Sequence, residues 1–185
     1  APGQTVVLRV LRAGTTRDYN VTVGSQPQQS EERQRIQQPR ERIDALLDQG
    51  NYAEVLKLDP SNTIALMRLI EREVDERRYG EALTHFPALK QSNRSGVGYA
   101  VYPKVSLAFE KERRSAEALA VLNDLHARVQ QDVAKGSGYL SRSPQIGRVI
   151  DGLRGVKPLL SQPEVTRATD ALIGELERLV KDLRR

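Results

Sequence analysis

Tyr79-Gly80-Glu81-Ala82-Leu83 returns 36 residues later as Ser115-Ala116-Glu117-Ala118-Leu119. Each copy opens a run with helical apolar spacing: Ala82, Leu83, Phe86 and Leu89 in the first, and Ala118, Leu119, Leu122, Leu125 and Val129 in the second. Alanine at the shared position lets two helices approach closely, and the larger residues on either side fill the groove between them. Self-similarity at a spacing of this size is the signature of helical units stacked in an array.

Helical patterns continue on both sides. Upstream, Leu66, Leu69, Ile70 and Val74 form the apolar face of a helix capped by Asn62 or Thr63. Before it, Arg40 to Gln49 carries the stripe Ile43, Leu46 and Leu47 and ends at Gly50-Asn51, and a short helix from Tyr52 to Leu58 is closed by Asp59-Pro60. Pro87 predicts a kink or a fresh turn within the helix that starts at Tyr79. Downstream of it, Ser92 to Gly98 reads as a loop, and Pro103 suits the first turn of a helix over Tyr102 to Arg113. A long helix follows from Ser115 to about Val133. After a break at Lys135-Gly136-Ser137-Gly138, Ile146, Val149, Ile150 and Leu153 mark a helix weakened by Gly152 and Gly155 and interrupted or bent at Lys157-Pro158. Pro163 opens the last helix, with Val165, Ala168, Leu172, Leu176, Leu179 and Val180 on one side.

The N-terminal stretch has a different period. Val6, Leu8 and Val10 fall on one face, Ala13-Gly14-Thr15-Thr16 makes a turn, and Tyr19, Val21 and Val23 alternate on a second strand. A lone hairpin is barely stable in water, so this one is expected to pair with a second copy, pack on the helices, or complete a sheet from a segment outside the chain. Ser25 to Pro39 is polar and Gln-rich and reads as a linker in which Ser30-Glu31-Glu32-Arg33 can nucleate a short helix. The predicted fold is therefore mainly α with an N-terminal β-hairpin: hairpin 1–24, linker 25–39, helical hairpin repeats 40–135, and a C-terminal helical pair 136–185.

Composition narrows the function classes. The 185 residues are 38% hydrophobic but only 4% aromatic, which suits a core of Leu, Val, Ile and Ala between helices. No apolar run approaches the ~18 residues of a membrane span. The Ala1-Pro2 start fits either a mature end left by leader cleavage or a boundary within a longer chain. There is no cysteine, which excludes disulfides, thiol nucleophiles and Cys-ligated zinc within these residues. The net charge of +5 reads as solubility, because most arginines have acidic neighbours, as in Glu71-Arg72-Glu73 and Glu110-Lys111-Glu112-Arg113. A nucleic-acid binder would gather its basic residues on one face.

Catalytic patterns are absent from the sequence. His85 and His126 have no partner at metal-ligand spacing and read as surface or interfacial residues, so no metal site is expected. No phosphate-binding Gly-x-x-x-x-Gly-Lys-Ser/Thr loop and no Gly-x-Ser-x-Gly nucleophile turn occurs, and no cofactor is expected. Glu31-Glu32, Glu175 and Glu177 are placed on solvated faces. Tyr52 and Tyr79 fit core positions, whereas Tyr99 and Tyr139, next to loops, are expected to be exposed and suited to contacts.

Two resemblances rest on these residues. From Thr63 to Arg94 the chain resembles a tetratricopeptide repeat: Leu66 and Leu69 match the large positions of its first helix, and Tyr79, Ala82 and Phe86 the aromatic, small and aromatic positions of its second. The next unit keeps Tyr102, Phe109, Ala118, Leu122 and Leu125, and Gly50 to Asn62 looks like a shortened repeat. Ile70 replaces the usual small residue, and Arg94 stands where proline is common. The hairpin, Pro2-Gly3-Gln4-Thr5-Val6-Val7-Leu8-Arg9-Val10-Leu11-Arg12-Ala13-Gly14 with Tyr19-Asn20-Val21-Thr22-Val23-Gly24, resembles the last two strands of a PDZ domain in the style of the HtrA/Deg extracytoplasmic serine proteases. That family's peptide-binding loop and protease domain would lie upstream of Ala1.

The tetratricopeptide resemblance implies a non-catalytic protein-interaction module with a groove on the inner face of the first helices of each pair, lined by Met67, Glu71, Asp75 and Lys111. Their mixed charge suits a protein or peptide partner better than phosphate. The protease resemblance implies either the C-terminal region of a larger HtrA-like protease or a stand-alone scaffold of the bacterial envelope, the periplasm included. Without it the location defaults to the cytoplasm. The alternatives are a basic helical nucleic-acid binder and the regulatory part of an enzyme whose catalytic domain lies upstream. Self-association through the hairpin is a further expectation.

Overall fold

A computed structural model describes residues 4–12, 14–22 and 40–184. The expected linker 25–39, with Ser30-Glu31-Glu32-Arg33, and Val23 lie outside the described residues. The chain divides into two compact units, Ala1–Ala45 and Leu46–Arg185, so the division falls inside a helix over 40–48 (α1) rather than ahead of it.

In the first unit, β1 (Thr5–Arg12) and β2 (Thr15–Thr22) pair antiparallel in a two-stranded sheet. Arg12 pairs with Thr15 at the end of the sheet, and Gly14 ahead of β2 holds φ 78°. Thr15 and Thr16 begin β2 instead of completing the turn, because they pair with Arg12 and Leu11. Val6, Leu8 and Val10 face Val21, Tyr19 and Arg17 across the register. On the other face Arg9 donates from Nε and Nη2 to the two Asp18 carboxylate oxygens at 2.7 and 2.9 Å. Every residue of both strands is exposed, Leu11 by 71%.

The second unit is helical: α2 (Tyr52–Leu58), α3 (Thr63–Asp75), α4 (Tyr79–Ser92), α5 (Tyr102–Lys111), α6 (Ser115–Ala134), α7 (Ser143–Val156) and α8 (Pro163–Asp182), with short 3-10 turns at Val97–Val101, Tyr139–Ser141 and Lys157–Leu159. Successive helices pack as pairs, α3 on α4, α5 on α6 and α7 on α8, while α3, α5 and α7 also contact in series. Asn62 caps α3 as expected, its Oδ1 accepting from the Ala65 amide at 3.0 Å. The helix α4 runs unbroken through Pro87, which lies on its exposed side.

Two helix ends, those of α3 and α5, share one backbone form. Arg77 and Arg113 both hold left-handed backbone, at φ 61° and 59°. Each ends a helix in the same way: Arg77 N–H donates to Val74 O and Arg78 N–H to Glu73 O, and Arg113 N–H donates to Glu110 O and Arg114 N–H to Phe109 O. This is the Schellman pattern, usually built on glycine. The next arginine then pairs three residues on, Arg78 with Glu81 at 2.5 Å and Arg114 with Glu117 at 2.9 Å. Two turns thereby reset the chain for the return helix, and Ala82 and Ala118 on the return helices are fully buried. Ser106 Oγ donates to Ala118 O at 3.1 Å within the α5–α6 pair.

The core centres on α5, where Tyr102, Val105, Leu107, Ala108 and Phe109 are buried beside Leu66, Ile70, Leu122, Leu125, Ile146 and Leu153. Aromatic rings are few but gathered: Phe86 meets Tyr102 and Phe109 edge-on, and Tyr99 lies 4.5 Å from Tyr102 between centroids. Tyr99 and Tyr139, expected at the surface, are half-buried against this core, because each sits within a 3-10 turn, Val97–Val101 or Tyr139–Ser141, that packs on it.

Candidate functional site

The inner helices of the three pairs, α3, α5 and α7, line a groove of about 1340 Å³. An i, i+4 spacing aims side chains of one helix into it: Met67, Glu71 and Asp75 from α3, and Pro103, Leu107 and Lys111 from α5. The structure therefore brings Met67, Glu71, Asp75 and Lys111 to one surface. Met67, Val74, Leu107 and Val156 make its floor apolar.

Gly152 and Gly155 of α7 both line the groove. A Cβ on Gly152 would stand 3.2 Å from Pro103 Cγ, so this glycine lets α7 approach α5 closely. A Cβ on Gly155 would meet nothing within 4 Å. What reads as helix weakness in the sequence is, on the groove side, open space.

Three of the four expected residues are already engaged. Arg68 donates to Glu71 at 2.9 Å. Lys104 reaches from α5 to both carboxylate oxygens of Asp75 on α3, at 2.7 Å each, tying the two helices together. Lys111 donates to the Leu159 carbonyl and stands 3.3 Å from Glu110 Oε2. Arg77, Lys104 and Arg148 also line the groove and escaped sequence reasoning. The i+4 spacing of Arg148 and Gly152 on α7 is the signal that would have found that wall.

Behind Lys111, Glu110 is buried although it stands in a run of charged residues. Its Oε1 accepts from Ser161 N, Ser161 Oγ and Gln162 N at 2.7, 2.5 and 2.8 Å. Gln162 is the N-cap of α8, so a carboxylate from α5 caps that helix and meets the positive end of its dipole. Burial pushes Glu110 up, but the Ser161 hydroxyl, the Ser161 and Gln162 amides and nearby Lys111 more than offset it and hold the carboxyl below its ordinary value. Glu73 is likewise buried, with His85 Nε2 at 3.5 Å and Arg78 at 3.8 Å.

His126 Nε2 lies 2.7 Å from Glu175 across α6 and α8, an interfacial role. Asp132, also buried, accepts from Leu140 N at 3.0 Å and pairs with Arg128 at 3.0 Å, which pins the 135–142 segment. Among the described residues no three His, Asp or Glu converge on a point where a metal would sit. Among them, too, no helix is long and apolar enough to cross a membrane. The chain matches no protein-family model, no curated protein and no solved structure.

Proposed function

We propose that the helical unit is a non-catalytic protein-interaction module that takes a protein segment in the groove between α3, α5 and α7. One observation carries the reading. At about 1340 Å³ the groove is larger than the ~300–1,000 Å³ pockets that enclose small ligands, and it has an apolar floor flanked by charged side chains. Such a surface suits a peptide or helix that buries apolar anchors and presents polar atoms to the rim. The recurrent helix ends at Arg77 and Arg113 and the buried Ala82 and Ala118 support reading the pairs as tetratricopeptide-like repeats. The Pro2-Gly3 start and the order of the two strands support a PDZ-like hairpin and, with it, a bacterial envelope location.

Gly155→Leu tests the groove without disturbing the core, because its side chain enters open space on a helix. Peptides selected from a random library on the full chain are expected to lose binding to this variant while its unfolding midpoint stays put. Ala at Met67 and Glu71 should weaken the same peptides. Peptides that bind Gly155→Leu and the double variant as well as the parent would reject the groove.

A further inference from the structure

We infer that the segment taken by this groove is acidic, an apolar stretch bearing carboxylates that meet Arg77 and Arg148. The inference rests on the groove reading above and names the chemistry of its occupant. Five cationic side chains line the groove, Arg68, Arg77, Lys104, Lys111 and Arg148, against two anionic ones, Glu71 and Asp75. The two carboxylates are spent on Arg68 and Lys104. Glu110 stands behind Lys111. Arg77 and Arg148 make no ion pair among the described residues, and both are exposed.

Their placement makes the surplus effective. Arg77 is anchored by the left-handed turn that ends α3, so its backbone is set at one end of the groove. Arg148 projects from α7, the opposite wall. Between them lies an apolar floor, where a bound carboxylate is less screened than in open water. A basic segment finds no free carboxylate here, since Glu71 and Asp75 are already paired. A polyphosphate backbone would meet those same two carboxylates and an apolar floor in place of a run of basic residues.

The test uses the full chain and peptides of about a dozen residues with fixed apolar positions and the remaining positions all Glu, all Gln or all Lys, in many registers. Two rim ion pairs make the Glu set bind about tenfold tighter than the Gln set at about 50 mM salt, with the Lys set weakest. The gap narrows at about 500 mM salt. Reversing both arginines, Arg77→Glu with Arg148→Glu, removes the preference of the groove for the Glu set over the Gln set. Glu and Gln peptides that bind equally, yet are both blocked by Gly155→Leu, would overturn the acidic occupant and leave the groove standing. If no set is blocked by Gly155→Leu, the groove reading itself falls. Arginine-dependent binding of a DNA or RNA oligonucleotide with a steep salt slope would replace the acidic segment with nucleic acid.

Discussion

Replacing Glu110 by alanine removes the carboxylate that caps α8 from α5, and the cost follows from what it leaves behind. Three donors lose their acceptor: the Ser161 amide, the Ser161 hydroxyl and the Gln162 amide. Hydrogen bonds to a charged group contribute about 1.5–3 kcal/mol each when buried. Ser161 is exposed and Gln162 half-exposed, so water recovers much of that. With the small cavity added, a net loss of about 3 kcal/mol is expected. Glu110→Gln keeps one acceptor oxygen and loses the charge, for about 1–2 kcal/mol. Urea unfolding followed by circular dichroism reads both as a lower midpoint at unchanged slope. The pH dependence separates charge from shape. The Glu110 carboxyl titrates lower in the folded chain than its ordinary 4.5, so its stabilisation is complete above that value and is lost as pH falls through the folded value. The deficit of Glu110→Gln is therefore constant down to about pH 5 and shrinks below it. A deficit under about 0.5 kcal/mol for the alanine variant, or one for Gln that grows on acidification, would refute the cap.

Three further outcomes are expected. Arg113→Gly raises stability by about 0.5–1 kcal/mol in the same unfolding assay, because glycine holds φ 59° without a Cβ clash; a loss would show that the arginine side chain matters more than its backbone. Gly138→Ala costs at least about 2 kcal/mol, since its Cβ would lie 2.5 Å from the buried Asp132 carboxylate on backbone at φ 103°; a neutral result would mean the 135–142 segment is not held there. Deleting residues 1–24 removes an exposed sheet bearing Val6, Leu8, Val10, Tyr19 and Val21, and is expected to change the mass seen by light scattering or the binding of an apolar-surface dye. Both signals unchanged would show that the hairpin neither associates nor covers anything.

What the sequence disclosed was what repeats or alternates locally. Ala82 and Ala118 stand out because a small residue recurs at one phase of two apolar helices, and the same phase put Met67, Glu71, Asp75 and Lys111 on one surface. The left-handed turns at Arg77 and Arg113 were hidden because arginine does not advertise positive φ, although Glu76-Arg77-Arg78 and Glu112-Arg113-Arg114 are a second copy of the same motif. The burial of Glu110 leaves no local sign because its partners, Ser161 and Gln162, are 51 and 52 residues away. Gly98 reads as loop, yet a Cβ there would stand 2.9 Å from Leu89 and Asn93, so it marks a packed turn that pulls Tyr99 inward. Long-range partners of this kind leave no periodic trace.

The most direct measurement is an amide chemical-shift map of the full chain titrated with a library-selected peptide. The groove account predicts shifts gathered on Met67, Glu71, Lys104, Lys111 and Gly152. Shifts confined to the outer helices α6 and α8 or to β1 and β2, with those five unmoved, would contradict it.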